Sequence, residues 1–307
     1  MNWRISFLLF LFVFAACEHT EKTTPKKTIN YLIEVDEVQK IIKNPSVKII
    51  DFRKPTDYAK EHLENALNIW RTDIEDGSFP YKGMMASAKK IEVLFSRLGI
   101  KTGDMLVIYD DKGLVDATRL WWILQNYDYT NVKLLNGGLT AWEVAKGKTT
   151  DATAAATLAS NFKLTKNPSF RFHNSKKGVL KALKGNTFLL DTRTQDEFSG
   201  KNQKKGAFKG GRIPNSILIN WVEAIDYNGT KKMKSKKELR QIYGRLPLNK
   251  NDTIIVYCHS GVRSAHTTFV LTQLLGYKNV TNYDGSWTEW SYFDELPFVK
   301  DSLTTKF

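Results

Sequence analysis

The sequence predicts an α/β protein built as two tandem domains, each a mainly parallel sheet flanked by helices. Three observations carry this expectation. The chain has 307 residues, 42% hydrophobic and 25% charged, a length and composition that suit two folded domains, each with its own core. It also repeats itself. "IIDFRKPTDY" (49–58) matches "LLDTRTQDEF" (189–198), "LVIYDDKGLVDA" (106–117) matches "IIVYCHSGVRSA" (254–265), and "LLNGGLTAW" (134–142) matches "NYDGSWTEW" (282–290). A period this long marks a duplicated domain rather than a solenoid. Within each copy, short apolar runs alternate with helical stretches, the pattern of a parallel α/β sheet.

Taken in order, residues 1–17 carry one basic residue, Arg4, then an apolar run from Ile5 to Ala16 broken only by Ser6. That run is too short to span a bilayer and fits the apolar region of a signal peptide. With two alanines before Cys17, the stretch is similar to bacterial lipoprotein signals, in which the cysteine is lipidated and becomes the N-terminus. Phe14 departs from the aliphatic residue usual there. An ordinary cleaved signal and an uncleaved anchor are the alternatives. Residues 18–27 are polar and aperiodic and read as a tether. The resulting expectation is a lipid-anchored, periplasm-facing protein of the cell envelope.

The first domain is expected over 28–148. A helix at 35–43 leads to a strand ending in Asp51-x-Arg53, and a second strand, "MLVIY", precedes the helix "ATRLWWILQNY". Residues 149–167 lack a clear apolar stripe and read as an extended linker. The second domain is expected over 168–301, with "TIIVY" and "AHTTFVLTQLLGY" in the matching places. It is about eight residues longer, a difference assigned to the Lys/Gly-rich loop 200–211. Arg53 and Arg193 fall at equivalent places and read as ion-pairing partners inside each domain. Trp142 and Trp290 read as core.

The formal net charge is +14. Such a surface steers anionic ligands or lies against anionic lipid, or is simply a solvated lysine-rich face. Five of its lysines, Lys231, Lys232, Lys234, Lys236 and Lys237, cluster in one loop-to-helix stretch. No zinc-finger spacing or RNA-binding signature accompanies the charge, so nucleic acid is not an expected partner.

The chemistry centres on "YCHSGVRSAH" (257–266). Cys258 is the only cysteine besides Cys17, so a lipidated Cys17 leaves it without a disulfide partner. A buried structural cysteine is the plain reading. The surroundings favour a reactive one. Cys258 follows a strand, where binding sites of parallel sheets lie, and Gly261 permits a tight bend before the next helix. A loop that curls so points N–H groups inward and, with the helix N-terminus, forms an anion cradle. Together with Arg263 and the hydroxyls of Ser260 and Ser264, it would push the thiol toward thiolate.

Cys258, Gly261 and Arg263, the Asp-x-Arg strand ends and the closing "YDGSWTEW" resemble the rhodanese family. The first copy's "ATRLWW" and "LLNGGLTAW" resemble the non-catalytic half of its two-domain thiosulfate and mercaptopyruvate sulfurtransferases. The resemblance spans about 28–299. It implies a catalytic cysteine, Cys258, that takes sulfane sulfur from a small anionic donor as a persulfide and yields it to cyanide or a thiol. The loop residues His259, Ser260, Gly261, Val262, Arg263 and Ser264 would surround it. No metal or organic cofactor is implied. Asp110 stands at the place of Cys258 in the first copy and cannot carry sulfur, so that domain should be catalytically dead, with Asp110 capping the following helix. In the family this domain walls the cleft. Arg71 is a candidate for that wall and Glu197 a further candidate for the cleft wall, and Arg119 reads as packing.

Two departures leave the donor open. Glu197 stands where the family's two-domain enzymes place a donor-holding arginine, and would disfavour an anionic donor unless a nearby lysine paired with it. Ser260 replaces the basic residue of thiosulfate-preferring members and looks more like the mercaptopyruvate group, yet Gly83 falls where that group places a histidine. His62 reads as marking an exposed turn, and His259 either faces outward or tunes Cys258. A membrane-tethered persulfide relay or binding module fed by a protein partner is the alternative function. A phosphatase-like or arsenate-reductase-like enzyme fits less well. Those use five residues between cysteine and arginine, and here His259 to Val262 gives four.

Overall fold

The computed structural model describes residues 30–152 and 158–301. The signal-like segment, Cys17 and the tether lie outside the described residues. The strands of the first half are β1 (Leu32–Ile33), β2 (Val47–Asp51), β3 (His62–Leu63), β4 (Leu67–Asn68), β5 (Met105–Tyr109), β6 (Val132–Leu135) and β7 (Thr149–Thr150). Its helices are α1 (Val35–Ile41), α2 (Pro55–Tyr58), α3 (Ala88–Arg97), α4 (Ala117–Asn126) and α5 (Gly138–Val144). The second half has β8 (His173–Asn174), β9 (Phe188–Asp191), β10 (Ser216–Leu218), β11 (Thr253–Tyr257) and β12 (Asn279–Tyr283). Its helices are α6 (Lys176–Ala182), α7 (Gln195–Ser199), α8 (Lys236–Tyr243), α9 (Val262–Phe269) and α10 (Ser286–Tyr292).

Each half is one five-stranded parallel sheet flanked by helices, ordered β1-β6-β5-β2-β4 and β8-β12-β11-β9-β10. The two orders correspond strand for strand, so the duplication seen in sequence extends to topology. Helices on both faces leave the central strands buried, which is why "LVIY" and "IIVY" read as unbroken apolar runs rather than alternating ones.

The Asp-x-Arg motifs act as expected inside each half. Arg53 binds Asp51 at 2.6 Å and Arg193 binds Asp191 at 2.6 Å, each through two guanidinium nitrogens. Trp142 and Trp290 are buried.

One expectation needs correction, and the linker has more contacts than its sequence suggests. Described residues of the 149–167 linker, on either side of 153–157, lie against the first half. β7 pairs antiparallel with β3, and Phe162 is fully buried with its ring against Phe95 and Tyr129. An aromatic anchor and backbone bonds from Ser160 and Phe162 to Ser96 on α3 strap the segment to the first half. His62 does not sit in an exposed turn. It is buried, stacked on Tyr58 at 3.8 Å with Nδ1 at 2.8 Å from the Tyr58 carbonyl, while the exposed residues of that turn are Glu64 and Asn65.

The halves meet along α4 and α9. Every residue of α4 is buried, because one face covers its own sheet and the other packs on α9, where Trp121 meets Phe269 edge-on at 4.9 Å. Arg119 crosses this boundary. Its guanidinium binds Asp284 at 2.6 Å and the Gly83 carbonyl at 2.7 Å, and lies over the Trp122 ring. Among the described residues no helix is long and apolar enough to cross a membrane.

Candidate active site

Cys258 lies just past the carboxyl end of β11 and is the one free cysteine among the described residues, 1% exposed. The loop after it is held from beneath by Ser286, whose Oγ accepts the N–H groups of Cys258 and Gly261, both at 3.1 Å. Gly261 has φ +74°, and a Cβ there would fall 2.5 Å from the Asp284 carbonyl oxygen and 2.9 Å from Arg119 Nη1. Only glycine meets both demands. The loop can therefore turn directly into α9.

The turn aims donors at the sulfur. The Ser264 hydroxyl lies 3.3 Å from Cys258 Sγ, and the N–H groups of Ser264 and Ser260 also point to it. Burial pushes the thiol up. The charge of Arg263 and these donors outweigh burial and hold it below the ordinary cysteine value.

Asp110, in the first half, shows what such a loop binds. Its buried carboxylate fills the matching cradle and accepts N–H bonds from Lys112, Leu114, Asp116 and Ala117 at 2.8–3.0 Å. These residues match Ser260, Val262, Ser264 and Ala265 in the repeat. The cap expected of Asp110 is present, formed by an anion inside the cradle. Burial, then repulsion from Asp116, pushes its carboxyl up to about 6 against the pull of those N–H groups.

Glu197 is not paired with a lysine. It forms a bidentate pair with Arg263, at 2.7 and 2.8 Å. Burial pushes its carboxyl up, but Arg263, the Thr194 N–H and Arg193 hold it down at about 2. The pair forms because α7 and α9 begin at neighbouring strand ends, bringing residues 66 positions apart together. Arg263 thus reaches the thiol partly neutralised.

His259 faces inward, 8% exposed. Its Nε2 lies 3.2 Å from the Lys205 carbonyl. A carbonyl only accepts, so Nε2 carries the proton. Burial, then Lys204 and Arg263, depress the imidazole to about 4, so it is neutral at pH 7 and pins the 200–211 loop to the thiol loop. Gly83 also has a structural reason. With φ +105°, a Cβ there would strike Ser260 Cβ at 2.7 Å, so this backbone lies against the thiol loop and no side chain fits.

A cleft of about 310 Å³ opens over the thiol, lined by Cys258, His259, Ser260, Val262 and Arg263 of the loop. The first half contributes Arg71, Lys112 and Val115. Arg71 binds Asp116 through Nε at 2.6 Å. Glu197 lies behind Arg263 rather than on the lining. Lys112, Lys204, Trp221 and Tyr227 also line it and were not singled out from sequence. The repeat register, which aligns Lys112 with Ser260, and the added length around Lys204 were the available signals. Among the described residues no cluster of His, Cys, Asp and Glu could hold a metal ion.

Comparison with known proteins agrees with the duplicated fold. The Rhodanese-like domain family matches twice, over residues 34–145 and 175–292. The chain belongs to the rhodanese family. Among curated rhodanese relatives, a thiosulfate sulfurtransferase of Corynebacterium glutamicum is 33% identical over 264 residues, covering 83% of this chain and 85% of the relative. The sulfur carrier protein TtuD of Thermus thermophilus is 31% identical over 280 residues, covering 88% and 96%. Among solved structures, an anaerobic ergothioneine biosynthesis enzyme from Chlorobium limicola shares the fold, with TM-score 0.79 at 19% identity, covering 90% of this chain and 71% of that one.

Proposed function

We propose that the protein is a sulfurtransferase that moves a sulfur atom from a small anionic donor, the sulfane sulfur of thiosulfate or the thiol sulfur of 3-mercaptopyruvate, to cyanide or a thiol through a persulfide on Cys258. The observation that carries this reading is the pair of matched cradles. One is filled by the carboxylate of Asp110, and the other holds a thiol pulled toward thiolate by the same kind of N–H groups. A loop built for negative charge suits a thiolate and then the terminal sulfur of a persulfide.

With thiosulfate, the Cys258 thiolate attacks the sulfane sulfur. A new S–S bond forms, the donor's S–S bond breaks, and sulfite leaves with the electron pair. An acceptor nucleophile then attacks the outer sulfur and the Cys258 thiolate leaves, ready for another cycle. With cyanide the product is thiocyanate. Neither half-reaction requires a metal or an organic cofactor.

The test is thiocyanate formation with each donor in parallel, using wild type and Cys258→Ser. Turnover by wild type alone supports the reading, and the better donor names the subgroup. A folded wild type inert with both donors rejects it and favours a persulfide relay fed by a protein partner. The curated relative named a sulfur carrier makes that the second reading.

We also propose that Cys17 carries lipid and tethers the domains at the periplasmic side of a membrane. The signal-like sequence before it supports this. Loss of membrane fractionation in Cys17→Ala is the expected result, and unchanged fractionation would refute it.

A further inference from the structure

Four cations line the cleft over Cys258: Arg71, Lys112, Lys204 and Arg263. Two are already paired with carboxylates. Arg263 is held by Glu197 and Arg71 by Asp116. Among the described residues, the ammonium groups of Lys112 and Lys204 make no ion pair or hydrogen bond, although each backbone is fixed. The Lys112 N–H donates to Asp110 at 2.9 Å and its carbonyl accepts from the Tyr227 hydroxyl at 3.1 Å. Around Lys204, its own carbonyl accepts from the Ala207 N–H at 3.0 Å and the next carbonyl is pinned by His259. Burial and the nearby Arg263 depress the Lys204 ammonium, as expected of a cation short of counter-charge.

We propose that Lys112 and Lys204 form a two-lysine clamp that selects sulfur donors bearing an anionic group beyond the transferable sulfur. Lys112 sits in the inactive domain at the repeat position of Ser260, so the duplicate supplies from across the cleft the base that the active loop lacks. Lys204 comes from the loop that lengthens the second copy. The clamp offsets Glu197, which partly neutralises Arg263. This inference rests on the reading of Cys258 as the sulfur-carrying thiolate, and its test separates the two.

The test compares alkylation of Cys258 by iodoacetate and by iodoacetamide, read by peptide mass spectrometry. Both reagents form an S–C bond and expel iodide, and only the first is an anion. In Lys112→Gln and Lys204→Gln the iodoacetate-to-iodoacetamide rate ratio should fall about three- to tenfold for each lysine at low salt, with the loss shrinking in high salt. Lys204→Arg should keep the ratio. kcat/KM for thiosulfate should fall by more than kcat/KM for the neutral acceptor dithiothreitol. An unchanged ratio in the double variant, or an equal fall for both reagents, would overturn the clamp. Wild type that alkylates with the lysine-dependent ratio but transfers no sulfur would leave the clamp standing and sink the sulfurtransferase reading.

Discussion

Replacing Glu197 with glutamine keeps the side-chain shape and removes one charge from an ion pair buried beside the thiol. Glu197 is 4% exposed and binds Arg263 through both oxygens. A carboxyl held at about 2 rather than near 4.5 contributes about 3 kcal/mol to folding at neutral pH. The sign follows from the depressed value. The contribution is complete above about 4.5 and is lost as pH falls through about 2. Glu197→Gln should therefore lower unfolding free energy by about 2–3 kcal/mol at pH 7, and the deficit should shrink in acid. The same change releases the charge of Arg263 toward Cys258, so the thiol should titrate lower than in wild type. Urea unfolding at pH 7 and pH 3 measures the first effect, and the pH profile of iodoacetamide alkylation measures the second. A Cys258 titration that stays put or moves upward would refute the idea that Glu197 restrains the thiol through Arg263.

Asp110→Ala removes the acceptor of four buried N–H groups. It should cost about 2–4 kcal/mol in urea unfolding, more than Asp110→Asn, which keeps one acceptor oxygen. Arg119→Ala strips the guanidinium from the buried Asp284 carboxylate and from the seam between the halves. A loss of about 3–5 kcal/mol is expected by the same assay, and a loss under 1 kcal/mol would show that the seam does not depend on this pair.

Much of the fold was legible because the chain is written twice. Short apolar strands alternating with helices in both copies pointed to the parallel sheets. The in-domain pairs of Arg53 and Arg193 were readable because the arginine recurs at the same place in both copies. Long-range geometry was less legible. The partner of Glu197 is Arg263, and no local pattern announces a contact that depends on two strand ends lying side by side. The exposed turn expected at His62 came from the family resemblance, whereas its own ring is buried and stacks on Tyr58. Residues 149–167 read as an extended linker because, among the described residues, one aromatic, Phe162, and scattered backbone bonds hold them rather than a periodic face. Within the site, Cys258, Gly261 and Arg263 stood out through spacing. Lys112 did not, because its place on the cleft comes from the packing of one half against the other.

The most direct test of the central claim is intact mass spectrometry of the protein after brief exposure to thiosulfate without acceptor. Wild type should gain the mass of one sulfur atom, mapped to Cys258, reversed by cyanide and absent from folded Cys258→Ser. No gain with thiosulfate or 3-mercaptopyruvate, or a gain that persists in Cys258→Ser, would contradict it.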